Sequence, residues 1–144
     1  MNVYADTSVL IALFLPEDIF SQAVNDWVGN NKVELSWNLG LRNEVRHNLR
    51  KLNSSYSRTA WNALRAAEKT GRLVIGREKL SELLSAADEL SAEKSSLIPA
   101  GTWDYFHVAA ALASSADCFA TCDPLQADLA IATGDFSRVK LFKS

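Results

Sequence analysis

No stretch of this chain stays apolar for the roughly 20 residues that a membrane-spanning helix requires, because charges and prolines interrupt every hydrophobic run well before that length. The first fifteen residues also lack a basic leader and a cleavage site, so the expectation is a soluble, cytoplasmic protein. Cysteine is scarce. Cys118 and Cys122 lie four positions apart on an expected strand, which separates their Cα atoms by about 13 Å at ~3.3 Å per residue, beyond disulfide reach. The spacing fits no zinc motif either, and both are read as buried thiols. Internal repeats, low-complexity tracts and linkers are absent. One domain spanning residues 1–144 is therefore expected, and a content of 48% hydrophobic residues is enough to bury a core unaided. There is no basic excess: 15 basic against 17 acidic residues leave a formal charge of −2. That is not the footprint of a protein that holds nucleic acid by charge alone, although a divalent ion held by several acids cancels such a deficit locally.

What the chain does contain is alternation. Strand-like runs at Asn2–Ala5, Val33–Ser36, Arg72–Ile75, Cys118–Thr121 and Val139–Phe142 are separated by longer helical patterns. The helical segments run about Ser8–Leu15, Ile19–Gly29, Asn38–Lys51, Ser55–Thr70, Arg77–Ser91, Thr102–Ser114 and Pro124–Thr133. The alternation predicts an α/β fold with a short, mostly parallel sheet sandwiched by helices. Several helix ends are readable: Asn53 and Ser54 as caps, Gly71 and Gly134 as stops, Pro124 in a first turn after Asp123. Ser91 to Gly101, with its serines, Pro99 and Gly101, reads as an irregular approach to the next helix.

Four carboxylates, Asp6, Glu44, Asp104 and Asp123, fall where apolar segments begin or end. Asp6 closes the first strand, and the carboxyl ends of strands face the crevice in which open α/β sheets bind ligands. A helix cap is its plainer role. Asp123 precedes a proline, the pattern of a cap and first helical residue, yet it too follows a strand. Asp104 stands in the first turn of a helix, where the macrodipole favours an acid. That helix is apolar almost all round, with Trp103, Phe106, Val108 and Leu112, and a buried carboxylate needs a partner. Glu44 lies about a quarter turn from the stripe formed by Leu41, Val45, Leu49 and Leu52, so it flanks the buried face. It is a solvated glutamate or an inward-reaching one.

Jointly the acids say more. A carboxylate pair ~4 Å apart at an effective dielectric near 20 costs on the order of 4 kcal/mol, and several pairs force proton uptake unless a cation is present. Magnesium and manganese are hard ions that take oxygen ligands and retain waters. A water so held is suited to attack on phosphorus, and the reaction class expected is phosphodiester hydrolysis.

These segments resemble the PIN domain family, the nuclease fold used by VapC-type toxins. The resemblance is carried by Asp6-Thr7-Ser8 after the first strand, Arg42-Asn43-Glu44-Val45 on a helix, Trp103-Asp104-Tyr105-Phe106-His107 opening another, and Phe119-Ala120-Thr121-Cys122-Asp123 ending a strand. The order and spacing cover nearly the whole chain. The resemblance implies that Asp6, Glu44, Asp104 and Asp123 hold one or two Mg2+ or Mn2+ ions, with Glu44 acting through a water or as a base. It implies an endoribonuclease, the toxin of a type II toxin-antitoxin pair, a homodimer, and a small antitoxin protein whose tail covers the acidic crevice. Ser8 and Thr121 match hydroxyls that the family places beside the acids, where they orient a carboxylate or a water; a plain cap or strand-end role is the alternative for each.

Other residues are ambiguous. Glu44-x-x-His47 and Asp104-x-x-His107 repeat the spacing of di-iron carboxylate bundles, but strands are inserted between short helices here, so His47 is read as exposed and His107 as packed and hydrogen-bonded. Arg42, Arg46 and Arg50 form a basic stripe most of half a turn from Glu44. RNA, a partner protein or solvent are all open as what it meets, with solvent the default. Trp27, Trp37, Trp61 and Trp103 are expected in the core, Trp103 being the one to test against substrate because it adjoins Asp104. Two other function classes compete with the nuclease: a catalytically silent PIN-fold interaction module, and a phosphoryl-transfer protein built on Asp6. The latter lacks the second acid two residues on, where Ser8 stands instead.

Overall fold

The computed structural model describes residues 1–144. Along the chain come β1 (Asn2–Ala5), α1 (Thr7–Phe14), α2 (Ser21–Asn30), β2 (Glu34–Trp37), α3 (Leu39–Leu52), α4 (Ser57–Lys69), β3 (Leu73–Ile75), α5 (Leu80–Lys94), α6 (Thr102–Ala113), β4 (Cys118–Thr121), α7 (Pro124–Thr133) and β5 (Arg138–Leu141). The five strands form one sheet in the order β3-β2-β1-β4-β5. Every pairing is parallel, so the expected mostly parallel sheet is a wholly parallel one.

Central position explains strand composition. β1 is flanked by Val3↔Leu35 on one side and Val3↔Cys118 on the other, and helices cover both faces of the sheet. Val3, Tyr4, Ala5 and all of Cys118–Thr121 are buried, which is why these strands read as continuous apolar runs. The edges are short, three residues in β3 and four in β5, and Arg138 and Lys140 put charge along the second, which discourages further pairing. α1 packs on α2, α3 and α4, while α6 packs on α5 and α7. Right-handed crossovers place the first group on one face and the second on the other. No helix is long and apolar enough to cross a membrane.

Local chemistry sets the helix ends. Asn38 accepts the Leu41 N–H and starts α3, and Pro124 occupies the first turn of α7 behind Asp123. Gly134 ends α7 at φ 72°, a left-handed conformation that glycine adopts without penalty. Asn53 differs from expectation. It closes the preceding helix α3 at φ 49°, a left-handed position that asparagine tolerates, while Ser54 accepts the Tyr56 N–H ahead of α4. The helix expected over Arg77–Ser91 is shifted along the chain to Leu80–Lys94, with Lys79 in extended backbone at its start and Leu83, Ala87 and Leu90 buried along one face. Gly40 has a steric reason: a Cβ there lies 2.8 Å from Phe106 Cζ, so its absence lets α3 approach α6.

Candidate metal centre

From β1 the chain steps one way to β2 and β3 and later the other way to β4 and β5. The topological switch therefore lies between β1 and β4, where open parallel sheets form a crevice beyond the carboxyl ends of their strands. Asp6 follows β1 directly and Asp123 follows β4 by two residues. Glu44 projects from α3 and Asp104 from the first turn of α6.

Asp6 is 5% exposed and wholly engaged. Its Oδ1 accepts Ser8 Oγ–H at 2.6 Å and the Val9 N–H at 3.0 Å, and its Oδ2 lies 2.7 Å from Thr121 Oγ1. Ser8 in turn accepts the Cys122 N–H at 3.1 Å, which ties the loop after β4 to the start of α1. Burial raises the Asp6 pKa above the ordinary range, against the pull of the Ser8, Thr121 and Val9 hydrogen bonds. Thr121 Oγ1 also lies 2.9 Å from Gln126 Oε1, and Gln126 Nε2 lies 3.0 Å from Asp104 Oδ1. A buried bridge thus joins Asp6 to Asp104. The other oxygen of Asp104 accepts the Gly101 N–H at 2.9 Å, so the acid also satisfies the start of its own helix. Burial raises the Asp104 pKa, opposed by the Gly101 hydrogen bond and reinforced by the charges of Asp123 and Glu44.

The hydrogens along this bridge can be counted. Three contacts, Asp6 to Thr121, Thr121 to Gln126 and Gln126 to Asp104, need three hydrogens. Thr121 supplies one and the Gln126 amide one, since its oxygen faces one neighbour and its nitrogen the other. With Gln126 Nε2 donating to Asp104, a carboxyl proton on Asp6 would supply the third, in the direction of its upward shift.

A second network holds Glu44. Its Oε1 accepts Thr7 Oγ1–H at 2.7 Å and its Oε2 lies 3.1 Å from His107 Nε2. His107 Nδ1 lies 3.0 Å from Tyr4 Oη, which accepts from Asn38 Nδ2 at 3.1 Å. With Asn38 donating, Tyr4 has its own hydroxyl hydrogen left for Nδ1, an arrangement that leaves Nε2–H to donate to Glu44. Burial alone raises the Glu44 pKa, but His107 and Thr7 outweigh it and hold this carboxylate below the usual range. His107 and Thr7 thus pull Glu44 toward its charged form, while burial pulls Asp6 and Asp104 toward their neutral forms.

Asp123 stands apart. Its Oδ1 accepts the Leu125 N–H at 2.9 Å and its own N–H bonds Thr121 Oγ1 at 3.0 Å, so the capping role that its sequence advertises is real. As arranged, no three His, Cys, Asp or Glu side chains come together closely enough to hold one metal ion. Each carboxylate is taken up by protein donors instead. The donor chemistry still fits a hard divalent ion: oxygen ligands only, with like charges near enough for Asp123 and Glu44 to act on Asp104.

Ser8 and Thr121, singled out in the sequence, both bond Asp6. Thr7, Gln126 and the chain His107–Tyr4–Asn38 were not assigned to the site. Gln126 had a signal, since it shares the buried face of α7 with Leu129 and Ala130. His47 is exposed and His107 is buried, as expected. Arg42 departs from the solvated default. It pairs with Glu68 at 3.3 Å, and the same glutamate accepts Trp37 Nε1–H at 2.8 Å. Trp37 is buried, Trp27 packs edge-on against Phe142, and Trp103 is 49% exposed beside Phe106. Cys118 and Cys122 are free thiols, and burial pushes the Cys122 thiol up to about 11.

No family model matches this sequence, and no match is found among curated proteins. Among solved structures, the chain is similar to the crystal structure of FitAcB from Neisseria gonorrhoeae. The two are 18% identical, with a TM-score of 0.57 over 98% of this chain and 96% of that one. Likeness at that identity shows the fold, and the fold is PIN-like.

Proposed function

We propose that this protein is a Mg2+- or Mn2+-dependent endoribonuclease, the toxin of a type II toxin-antitoxin pair, acting in the cytoplasm. The observation that supports it best is the buried Thr121–Gln126 bridge that joins Asp6 to Asp104 at the switch point of a PIN-like sheet, with Asp123 and Glu44 near enough for their charges to act on Asp104. Asp6, Glu44, Asp104 and Asp123 are the residues that would hold the ion. A bound divalent ion supplies Lewis acidity and a water activated for attack on a phosphodiester. The chain's own residues fix the geometry: Ser8 and Thr121 hold Asp6, Gln126 sets Asp104, and Thr7 with His107 sets Glu44. Preorganised ligands of this kind are what a metal site needs from its surroundings. A homodimer and a small antitoxin protein complete the proposal, both drawn from the family resemblance. Exposed Leu80, Leu84 and Trp103 on α5 and α6 give apolar surface for such contacts.

A second reading is favoured by one specific observation, that every carboxylate already accepts from a protein donor and no three converge. On that reading the chain is a catalytically silent PIN-fold interaction module. Cleavage of a mixed single-stranded and structured RNA pool, with Mn2+, with Mg2+ and with chelator, separates the two. The nuclease gives metal-dependent fragments that disappear in Asp6→Asn and Asp104→Asn variants. Absence of metal-dependent products from the native protein across the whole pool leaves the module.

A further inference from the structure

The molecule is weakly acidic as a whole, yet its charge is unevenly distributed. The hairpin of α3 and α4, residues 39–69, carries seven basic and two acidic side chains. Glu68 neutralises Arg42 and touches Arg65 at 3.9 Å, and the other acid, Glu44, faces the metal centre. Arg46, Arg50 and Arg58 have no ion-pair partner. All three line one cleft of about 400 Å³ between the helices, near the hairpin loop. Asn53, Asn62, Ser54 and Ser57 add amide and hydroxyl donors around them. Trp61 forms part of the wall, with the guanidinium groups of Arg46 and Arg65 lying 5.3 Å and 5.9 Å from its ring centre, so an aromatic ring stands among the cations. Only Leu49 and Trp61 are apolar there, which leaves little for an amphipathic helix to bury.

The way from the cleft to the metal centre crosses α3. On the other side of the C-terminal half of α3 lies a second depression, lined by Ser8, Asn48 and Lys51, and Ser8 is the hydroxyl that bonds Asp6. Two acids border this route. Asp18 lines the second depression, and Glu17 accepts a hydrogen bond from Ser54 at the rim of the first.

We propose that the α3–α4 cleft binds the phosphate backbone of the RNA strand that is presented to the metal centre, through Arg46, Arg50 and Arg58, with Trp61 as a stacking surface for a base. The identity of the strand rests on the nuclease reading. Guanidinium groups match phosphate oxygens in a bidentate fashion, and aromatic stacking is sequence-tolerant. An anion site of this kind accounts for RNA affinity in a protein whose net charge gives none.

Binding of a short fluorescein-labelled single-stranded RNA, followed by anisotropy in chelator so that nothing is cleaved, tests this. Arg50 and Arg58 are exposed, so Arg50→Gln/Arg58→Gln leaves the fold and the melting midpoint within about 2 °C of native. Two lost phosphate contacts reduce the slope of log K against log salt by about 1.4 and weaken binding about 25-fold at 0.1 M salt. Arg77→Gln/Lys79→Gln removes the same charge from an exposed segment elsewhere and leaves the slope unchanged if contact is local. Equal effects of the two double variants, an unaltered slope in the first, or no RNA binding by the native protein overturns the proposal. So does a polyglutamate peptide that binds as tightly as RNA with the same arginine dependence, which assigns the cleft to an acidic protein segment. Metal-dependent cleavage with an unaltered slope sinks the cleft and spares the nuclease; arginine-dependent binding without cleavage does the reverse.

Discussion

Replacing Asp6 by asparagine should stabilise the metal-free protein at neutral pH, and the reason is the missing hydrogen in the Asp6–Thr121–Gln126–Asp104 bridge. An asparagine amide in place of Oδ2 donates to Thr121, Thr121 donates to Gln126, and Gln126 donates to Asp104, while the asparagine oxygen still accepts from Ser8 and Val9. Every contact is then satisfied without a carboxyl proton. In the native protein that proton is lost as pH rises. Burial sets the folded Asp6 pKa above its ordinary value of 3.8, so the stability it contributes is fully present below that value and disappears as pH climbs through the raised folded one. Leaving one buried contact without its hydrogen costs about 1–3 kcal/mol, which for a domain of this size corresponds to about 3–9 °C of melting temperature. The advantage of Asp6→Asn should therefore be small below pH 3.8 and grow toward that range as pH rises to 8. Thermal melts by circular dichroism in chelator, across that pH range, measure it. A variant that is less stable than native, or whose advantage does not change with pH, refutes the hydrogen count.

Two further outcomes follow from the same geometry. His107→Leu removes the donor to Glu44 and the acceptor of the Tyr4 hydroxyl together, which costs roughly 2–5 kcal/mol and lowers the melting temperature by about 6–15 °C. Because His107 helps depress the Glu44 pKa, that contribution is present above the ordinary value of 4.5 and lost as pH falls through the folded one, so scanning calorimetry should find the deficit narrowing in acid. Mn2+ at about 100 times its dissociation constant should stabilise the native protein by about 2.7 kcal/mol, seen as a rise in melting temperature that Asp104→Asn does not share; equal shifts in the two proteins count against the ligand assignment.

The fold was legible in the sequence wherever burial on both sides of an element left continuous apolar letters. β1 and β4 were read to the residue, as was α7, because Pro124 and Gly134 mark its ends chemically. Where burial is one-sided the boundaries slid. β5 at the sheet edge sits one residue earlier than read, and α5 is displaced towards Lys94. The acids were legible as residues at element ends, but their partners were not. Thr7 reaches Glu44 across 37 positions and His107 reaches it across 63, and no local pattern encodes such distances. The arginine stripe shows the same limit from the other side. Its period was plain, but Glu68, 26 residues on, separates Arg42 from Arg46 and Arg50 and leaves the latter two uncompensated.

The donors around the carboxylates also indicate which oxygen atoms remain available to a cation. Asp6 Oδ1 accepts two hydrogen bonds, which uses both of its lone pairs. Oδ2 has the single neighbour Thr121 and keeps one site, so a cation can reach Asp6 only through that atom. It is the same atom at which the bridging proton competes. On the nuclease reading, metal and proton would therefore be alternatives at Asp6, and the upward pKa shift that burial imposes would weaken metal binding in acid. Asp104 and Glu44 each retain one free site on both oxygens, and Asp123 retains more, with one acceptor contact on Oδ1. The most buried acid is thus the most constrained, and freedom to adjust increases toward the rim. That gradient would suit a hard divalent ion that keeps several of its own waters: Asp6 would be its fixed carboxylate, and Glu44, Asp104 and Asp123 the ones with room to adjust.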